Sequence, residues 1–199
     1  MTTILALLTP DFADWEFAMV AAAARGYCMI DVRTAAPDGA VVQSLGGLRA
    51  MPDMAINDID LRRVDALVVI GGAIWEGDTA PDIRDLLRAA HWNGALVGAI
   101  CGGTRPLAAS GLLDRVPHTS NSRDYLLDVP FYRGSGHYRD SYSAIRSDRI
   151  ITAPGTAPVS FMKEVIDALG KGGPELDLYA ELLGAEHIPE RSATFIEAA

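Results

Sequence analysis

Short apolar runs that stop abruptly at turn residues recur along this chain, and they constrain its fold more than any other feature. Thr3 to Leu8 ends at Pro10-Asp11, Asp65 to Ile70 ends at Gly71-Gly72, and Gly94 to Ile100 ends at Cys101-Gly102. Tyr27 to Ala35 and Arg149 to Ala153 read as further strands. Between them lie helical patterns over Phe12 to Arg25, closed by Gly26, and over Pro81 to His91, with Thr79 as a possible cap. Two more follow at Val159 to Leu169 and Leu176 to Leu183. Val41 to Ala50, broken by Gly46-Gly47, reads as a small hairpin or two short strands, and Pro117 to Tyr142 as irregular. Strands that are apolar throughout have both faces covered, which argues an α/β fold with a mostly parallel sheet and helices on both sides. Ligands in such folds gather where the strands end, and three Gly- or Cys-bearing turns lie on that edge.

Cys101 stands at one of these turns, in Ala99-Ile100-Cys101-Gly102-Gly103-Thr104-Arg105-Pro106. Small residues two before and two after it, Ala99 and Gly103, meet the steric requirement of a nucleophile elbow, a tight strand-to-helix turn that lifts one side chain above a sheet. The start of the following helix is expected to favour thiolate over thiol. The plainer alternative is a tight βα turn containing a small buried cysteine.

Glu16 is the second unusual residue. It sits within the apolar stripe Phe12, Trp15, Met19, Val20, Ala23 of the first helical pattern. A carboxyl on the core side is unfavourable unless protonated or hydrogen-bonded, and burial raises its pKa; the alternative is a rim position reaching water. Gly72 and Gly102 are expected to offer backbone N–H groups for an oxyanion. Among four histidines, His137 lies in the irregular segment and is a candidate pocket residue, with His118 a weaker one. Cys28 lies within a strand pattern and reads as core. Trp75 follows the glycine turn, where it roofs a pocket or packs at a dimer interface.

A formal net charge of −9 and the lack of a Lys/Arg cluster argue against nucleic-acid or membrane-surface binding. At 199 residues the chain is expected to be a single domain. It has no membrane span and no basic export signal, so a cytoplasmic location is expected, with both cysteines reduced. The two cysteines and the histidines show no metal-ligand spacing, so neither a metal nor another cofactor is expected.

Pro10 to Glu16, Gly71-Gly72 and Ala99 to Thr104 stand in the order and spacing of the DJ-1/PfpI superfamily, which the whole chain resembles. Ile151 to Pro158, followed by a helix, resembles it too. The resemblance implies a class I glutamine amidotransferase-like, flavodoxin-like three-layer sandwich over residues 1–199. It further implies a homodimer with Cys101 reactive on the elbow and a protonated Glu16 hydrogen-bonding its sulfur. PfpI-like proteases have a histidine directly after the cysteine, where this chain has Gly102. The late His-x-Glu pair of amidotransferases is matched only superficially by His187 to Glu190. Both activities are therefore demoted. The expectation is a cysteine-dependent hydrolase or lyase acting on a small electrophile (an α-oxoaldehyde, amide or isocyanide). Cys101 would attack, Glu16 would transfer the proton, the Gly72 and Gly102 amides would hold the oxyanion, and His137 would orient substrate. A redox sensor oxidised to sulfinate at Cys101 and a silent dimerising domain are the alternatives.

Overall fold

The computed structural model describes residues 1–185. Strands β1 (Thr3–Leu7), β2 (Asp31–Ala36), β5 (Met54–Ala55), β6 (Ala66–Val69), β7 (Leu96–Ile100), β8 (Ile145–Ser147) and β9 (Ile150–Ala153) form one sheet. Its order is β5-β2-β1-β6-β7-β9-β8, and only β8 runs antiparallel to its neighbour. Strands β3 (Val42–Gln43) and β4 (Arg49–Ala50) form a separate antiparallel hairpin.

Side chains alternate across the sheet, as the two-residue strand period demands. Ile4, Ala6, Val68 and Ile100 join the core under α1 (Asp14–Cys28), α5 (Pro158–Ala168) and α6 (Pro174–Ala185). Leu5, Leu7, Leu67, Val69, Val97 and Ala99 join the core on the opposite face, under α2 (Arg84–Trp92) and α3 (Thr104–Ala109). Helices on both faces explain why β1, β6 and β7 carry no polar alternation. The result is the flavodoxin-like sandwich expected from the sequence. No helix among the described residues is long and apolar enough to cross a membrane.

The parallel register sets Leu7 beside Val69, Val69 beside Ala99, and Ile100 beside Ala153. The turns after β1, β6, β7 and β9 therefore emerge side by side along one sheet edge. At the elbow the backbones touch. A methyl group on Gly103 would lie 2.4 Å from the Val69 carbonyl oxygen, and one on Gly102 would lie 2.7 Å from that of Gly72. Side-chain-free residues at both positions are what lets the β7 turn nest on the β6 turn.

Several boundaries differ from the sequence reading. Gly26 does not end α1, which continues to Cys28 and closes at Met29 in the left-handed conformation (φ 51°). The strand expected from Tyr27 thus starts at Asp31. Helix α2 begins at Arg84, not Pro81, and Thr79 does not cap it; Asp82 Oδ1 accepts from Arg84 N instead at 3.1 Å. The two-residue β5 and three-residue β8 carry too short a pattern to be read from sequence.

The contact at the elbow predicts opposite outcomes for two glycines. Gly103→Ala is expected to destabilise the protein by about 3 kcal/mol, because backbone cannot move aside. Gly26→Ala, inside α1 with no neighbour within 4 Å, is expected to stabilise it by about 0.5–1 kcal/mol. Chemical denaturation of the two variants measures both.

Candidate active site

Cys101 is held at φ 53°, the left-handed region that a side chain with a Cβ rarely occupies. Strain of this kind persists only where the surroundings enforce it, and here the nested glycine turns do so. Thr104 Oγ1 donates to the Cys101 carbonyl at 2.6 Å and lies 2.7 Å from Ser120 Oγ, which ties the elbow to the segment beyond α3. Tyr138 reinforces that tie, its hydroxyl donating to the Ser120 carbonyl at 3.3 Å. Arg105 fastens the same segment further along, donating to the Tyr125 carbonyl at 2.6 Å and to the Asp128 carboxylate. These ties place residue 121 over the sulfur.

Glu16 is fully buried on α1. Its Oε2 accepts from the Gly71 amide at 2.7 Å. Oε1 has no well-directed hydrogen bond, and the polar group it faces is Cys101. Gly71 and Gly155 bracket the pair: a methyl group on Gly71 would meet Glu16 Oε2 at 2.6 Å and Cys101 Cβ at 2.7 Å, and one on Gly155 would meet the sulfur at 2.8 Å. Burial pushes the Glu16 carboxyl up from 4.5 to about 7, against the lowering effect of the Gly71 amide and of Cys101. A carboxyl poised near neutrality is suited to giving and taking a proton.

The sulfur differs from the sequence expectation. Burial, and then the negative charge of Glu16, push the Cys101 thiol above its ordinary value, although the amides of Asn121 and Gly102 pull it down. A single 3-10 turn, Cys101–Gly103, separates the sulfur from α3, which has only six residues. At neutral pH the Glu16 carboxyl is therefore near the middle of its titration, beside a thiol held above its ordinary value. Below about pH 7 Glu16 becomes the acid that the resemblance implied.

The Gly102 amide faces the sulfur, and the Gly72 nitrogen lies 3.3 Å from a methyl group placed on Gly102, so the two expected amide donors are neighbours. His137 is not brought to the site. It is exposed in a 3-10 turn, Ser135–His137, and does not line the cleft at Cys101. His118 is fully buried. Its Nδ1 donates to the Val116 carbonyl at 2.7 Å, which leaves Nε2 to accept from the Tyr132 hydroxyl at 2.8 Å. Burial holds its pKa down, so it is a neutral structural residue. Trp75 does not line the cleft at Cys101; it is buried behind the elbow, with Nε1 donating to the Ile70 carbonyl at 2.9 Å. Trp15, expected in the apolar core stripe, is instead 45% exposed at the cleft. His187 to Glu190 lies outside the described residues.

Two hydrogen bonds around the sulfur have no sequence signal. Asn121 Nδ2 donates to Cys101 Sγ at 3.3 Å, and its Oδ1 accepts from the Gly155 amide at 2.9 Å. Trp15 Nε1 donates to the Gly155 carbonyl at 3.0 Å. An asparagine in a Ser- and Asp-rich loop looks like any turn residue. The cleft that opens at Cys101 measures about 950 Å³ and is walled by Trp15, Met19, Tyr142, Val159 and Pro158. No group of three or more metal-binding side chains occurs among the described residues.

A cysteine on a strained turn, beside a buried carboxyl at the carboxyl edge of a parallel sheet, marks an α/β protein with one cysteine–carboxyl pair at its strand ends. The chain belongs to the DJ-1/PfpI family, whose model matches residues 2–168. It is 30% identical over 171 residues to a Bacillus subtilis protein named an uncharacterized protease, YoaZ, spanning 82% of this chain and 81% of that one. It is 32% identical over 138 residues to the glutathione-independent glyoxalase DJR-1.2 of Caenorhabditis elegans, spanning 67% of this chain and 69% of the other. The crystal structure of the DJ-1 superfamily protein Atu0886 from Agrobacterium tumefaciens superposes with a TM-score of 0.91 at 42% identity, covering 94% of this chain and all of that one.

The raised Glu16 carboxyl makes stability depend on pH in a definite direction. Its pKa is higher folded than unfolded, so the folded protein binds the extra proton between about pH 4.5 and 7 and loses stability as pH rises through that window. The shift corresponds to about 3 kcal/mol. Denaturation of wild type and Glu16→Gln is expected to show a difference that falls by about that amount and levels off once pH has passed well beyond 7.

Proposed function

We propose that the protein is a cysteine-dependent enzyme that converts small 2-oxoaldehydes to 2-hydroxy acids without a cofactor. The observation that carries this reading is the Cys101–Glu16 pair, a nucleophile and a proton carrier in one buried unit. The similarity to a protein named as a glyoxalase supports it. The name protease, borne by another relative, has no support from the residue after Cys101, which is Gly102.

The sulfur adds to the aldehyde carbon as Glu16 takes the thiol proton and passes it to the carbonyl oxygen, giving a thiohemiacetal. The Gly72 and Gly102 amides are assigned to the developing oxyanion; the closeness of their backbones supports that assignment. Glu16, again a carboxylate, removes the proton on the former aldehyde carbon and returns it to the adjacent carbonyl carbon, while the hydroxyl proton on the first carbon passes to the oxygen of the second. The product of that internal redox exchange is a thioester of the 2-hydroxy acid. Water then cleaves the thioester, and the thiol regains its proton. His137 has no step in this scheme.

The pair must lose one proton before it can react, whichever atom keeps the other. The rate constant kcat/KM is expected to rise with pH to a plateau with a midpoint of about 7, set by Glu16. Glu16→Gln is expected to lose that limb and at least about 100-fold in kcat/KM. Cys101→Ala is expected to abolish turnover; if it leaves turnover unchanged, the reading is wrong. Because the Asn121 and Gly102 amides also suit a sulfinate, an oxidant-sensing role is the second reading. No turnover, with dilute peroxide adding two oxygens at Cys101 and stopping, supports sensing instead.

The reading includes a homodimer, with no nucleic-acid or membrane partner. Leu45 and Leu48 on the β3–β4 hairpin and Met51 just after it are well exposed, and this apolar exposure supports the dimer reading. The hairpin is tied to the first turn of α1, with Asp14 accepting from the Ser44 hydroxyl and the Gly46 amide. Sedimentation velocity is expected to give a dimer, and Leu45→Glu with Leu48→Glu to give a monomer.

A further inference from the structure

We infer that Asn121 is a catalytic residue of the Cys101 centre, its carboxamide donating to the attacking sulfur, and that Trp15 positions it through Gly155. The inference rests on reading Cys101 as the nucleophile.

The orientation of the amide follows from its partners. The Gly155 N–H is a donor, so the Asn121 atom 2.9 Å from it must be the carbonyl oxygen. The amino group then faces Sγ at 3.3 Å and can only donate. A donor held at that place favours a negative sulfur over a neutral one. Cys101 needs such help, because burial and the neighbouring Glu16 charge both oppose its ionisation.

Gly155 is gripped from both sides. Its N–H serves Asn121, and its carbonyl accepts from Trp15 Nε1 at 3.0 Å. It also sits so close to the sulfur that a methyl group there would approach Sγ to 2.8 Å. The relay Trp15–Gly155–Asn121–Cys101 thus joins α1, the turn after β9 and the segment after α3. Glu16 follows Trp15 on α1. Adjacent residues of one helix therefore serve the same sulfur, one through its carboxyl and the other through a backbone-bridged amide.

The test is the pH dependence of Cys101 alkylation by iodoacetamide, read by peptide mass spectrometry so that Cys28 is counted separately. Asn121→Ala is expected to slow alkylation at pH 7 about tenfold and raise the midpoint by about one pH unit. Asn121→Asp keeps the acceptor for Gly155 and removes the donor, so it preserves the shape of the site; it is expected to be slower still. Trp15→Phe keeps the ring and removes the N–H. Its midpoint is expected to rise by less, and the effect to vanish in an Asn121→Ala background. Profiles of Asn121→Ala and Asn121→Asp that superimpose on wild type overturn the role of Asn121. Effects of Trp15→Phe and Asn121→Ala that add in full overturn the relay. Altered profiles in a protein that turns over no 2-oxoaldehyde support Asn121 as the sulfur's donor while the proposed reaction fails.

Discussion

The near-contact between the turn after β6 and the turn after β7 governs the rest of this structure. Gly102 and Gly103 lie against the carbonyls of Gly72 and Val69 at distances that admit no side chain. That packing forces Cys101 into the left-handed region and presents its sulfur above the sheet. It also brings the Gly72 and Gly102 nitrogens together and leaves Gly71 free to hold Glu16. Steric exclusion at four glycines thus sets the geometry on which the chemistry depends.

Electrostatics then shapes the reactivity. Removing Glu16 from water raises its carboxyl to about 7, within reach of ordinary cellular pH. The same burial, together with the charge on Glu16, disfavours the thiolate. Opposing it are discrete hydrogen bonds from Asn121 and Gly102. The centre is a thiol beside a carboxyl, both pushed up by burial, with backbone and amide donors acting against that push.

Much of the fold was legible in the sequence because the signals are local. Apolar runs in β1, β6 and β7 mark strands covered on both faces, and the small residues around Cys101 mark the elbow. Glu16 stood out because a carboxyl interrupts an apolar stripe, a pattern visible without coordinates. The ends of α1 and α2 were misread for equally local reasons. Gly26 looks like a terminator but has space around it, whereas Met29 adopts the left-handed cap. Thr79 looks like a cap, but Asp82 lies nearer the true start of α2 and supplies the hydrogen bond.

The sequence by itself determined the α/β class, the elbow and the odd carboxyl, because periodicity and side-chain size act on neighbouring residues. Only the tertiary structure decided which distant groups meet the sulfur. Asn121 lies 20 positions from Cys101 and Gly155 lies 34 from Asn121, and neither separation has a period that could reveal the contact. Parallel strands in the order β1, β6, β7, β9 bring their closing turns together, while His137, expected at the site, is carried away on an exposed turn. Adjacency in the sheet, set by hydrogen bonding between strands far apart in the chain, made that selection.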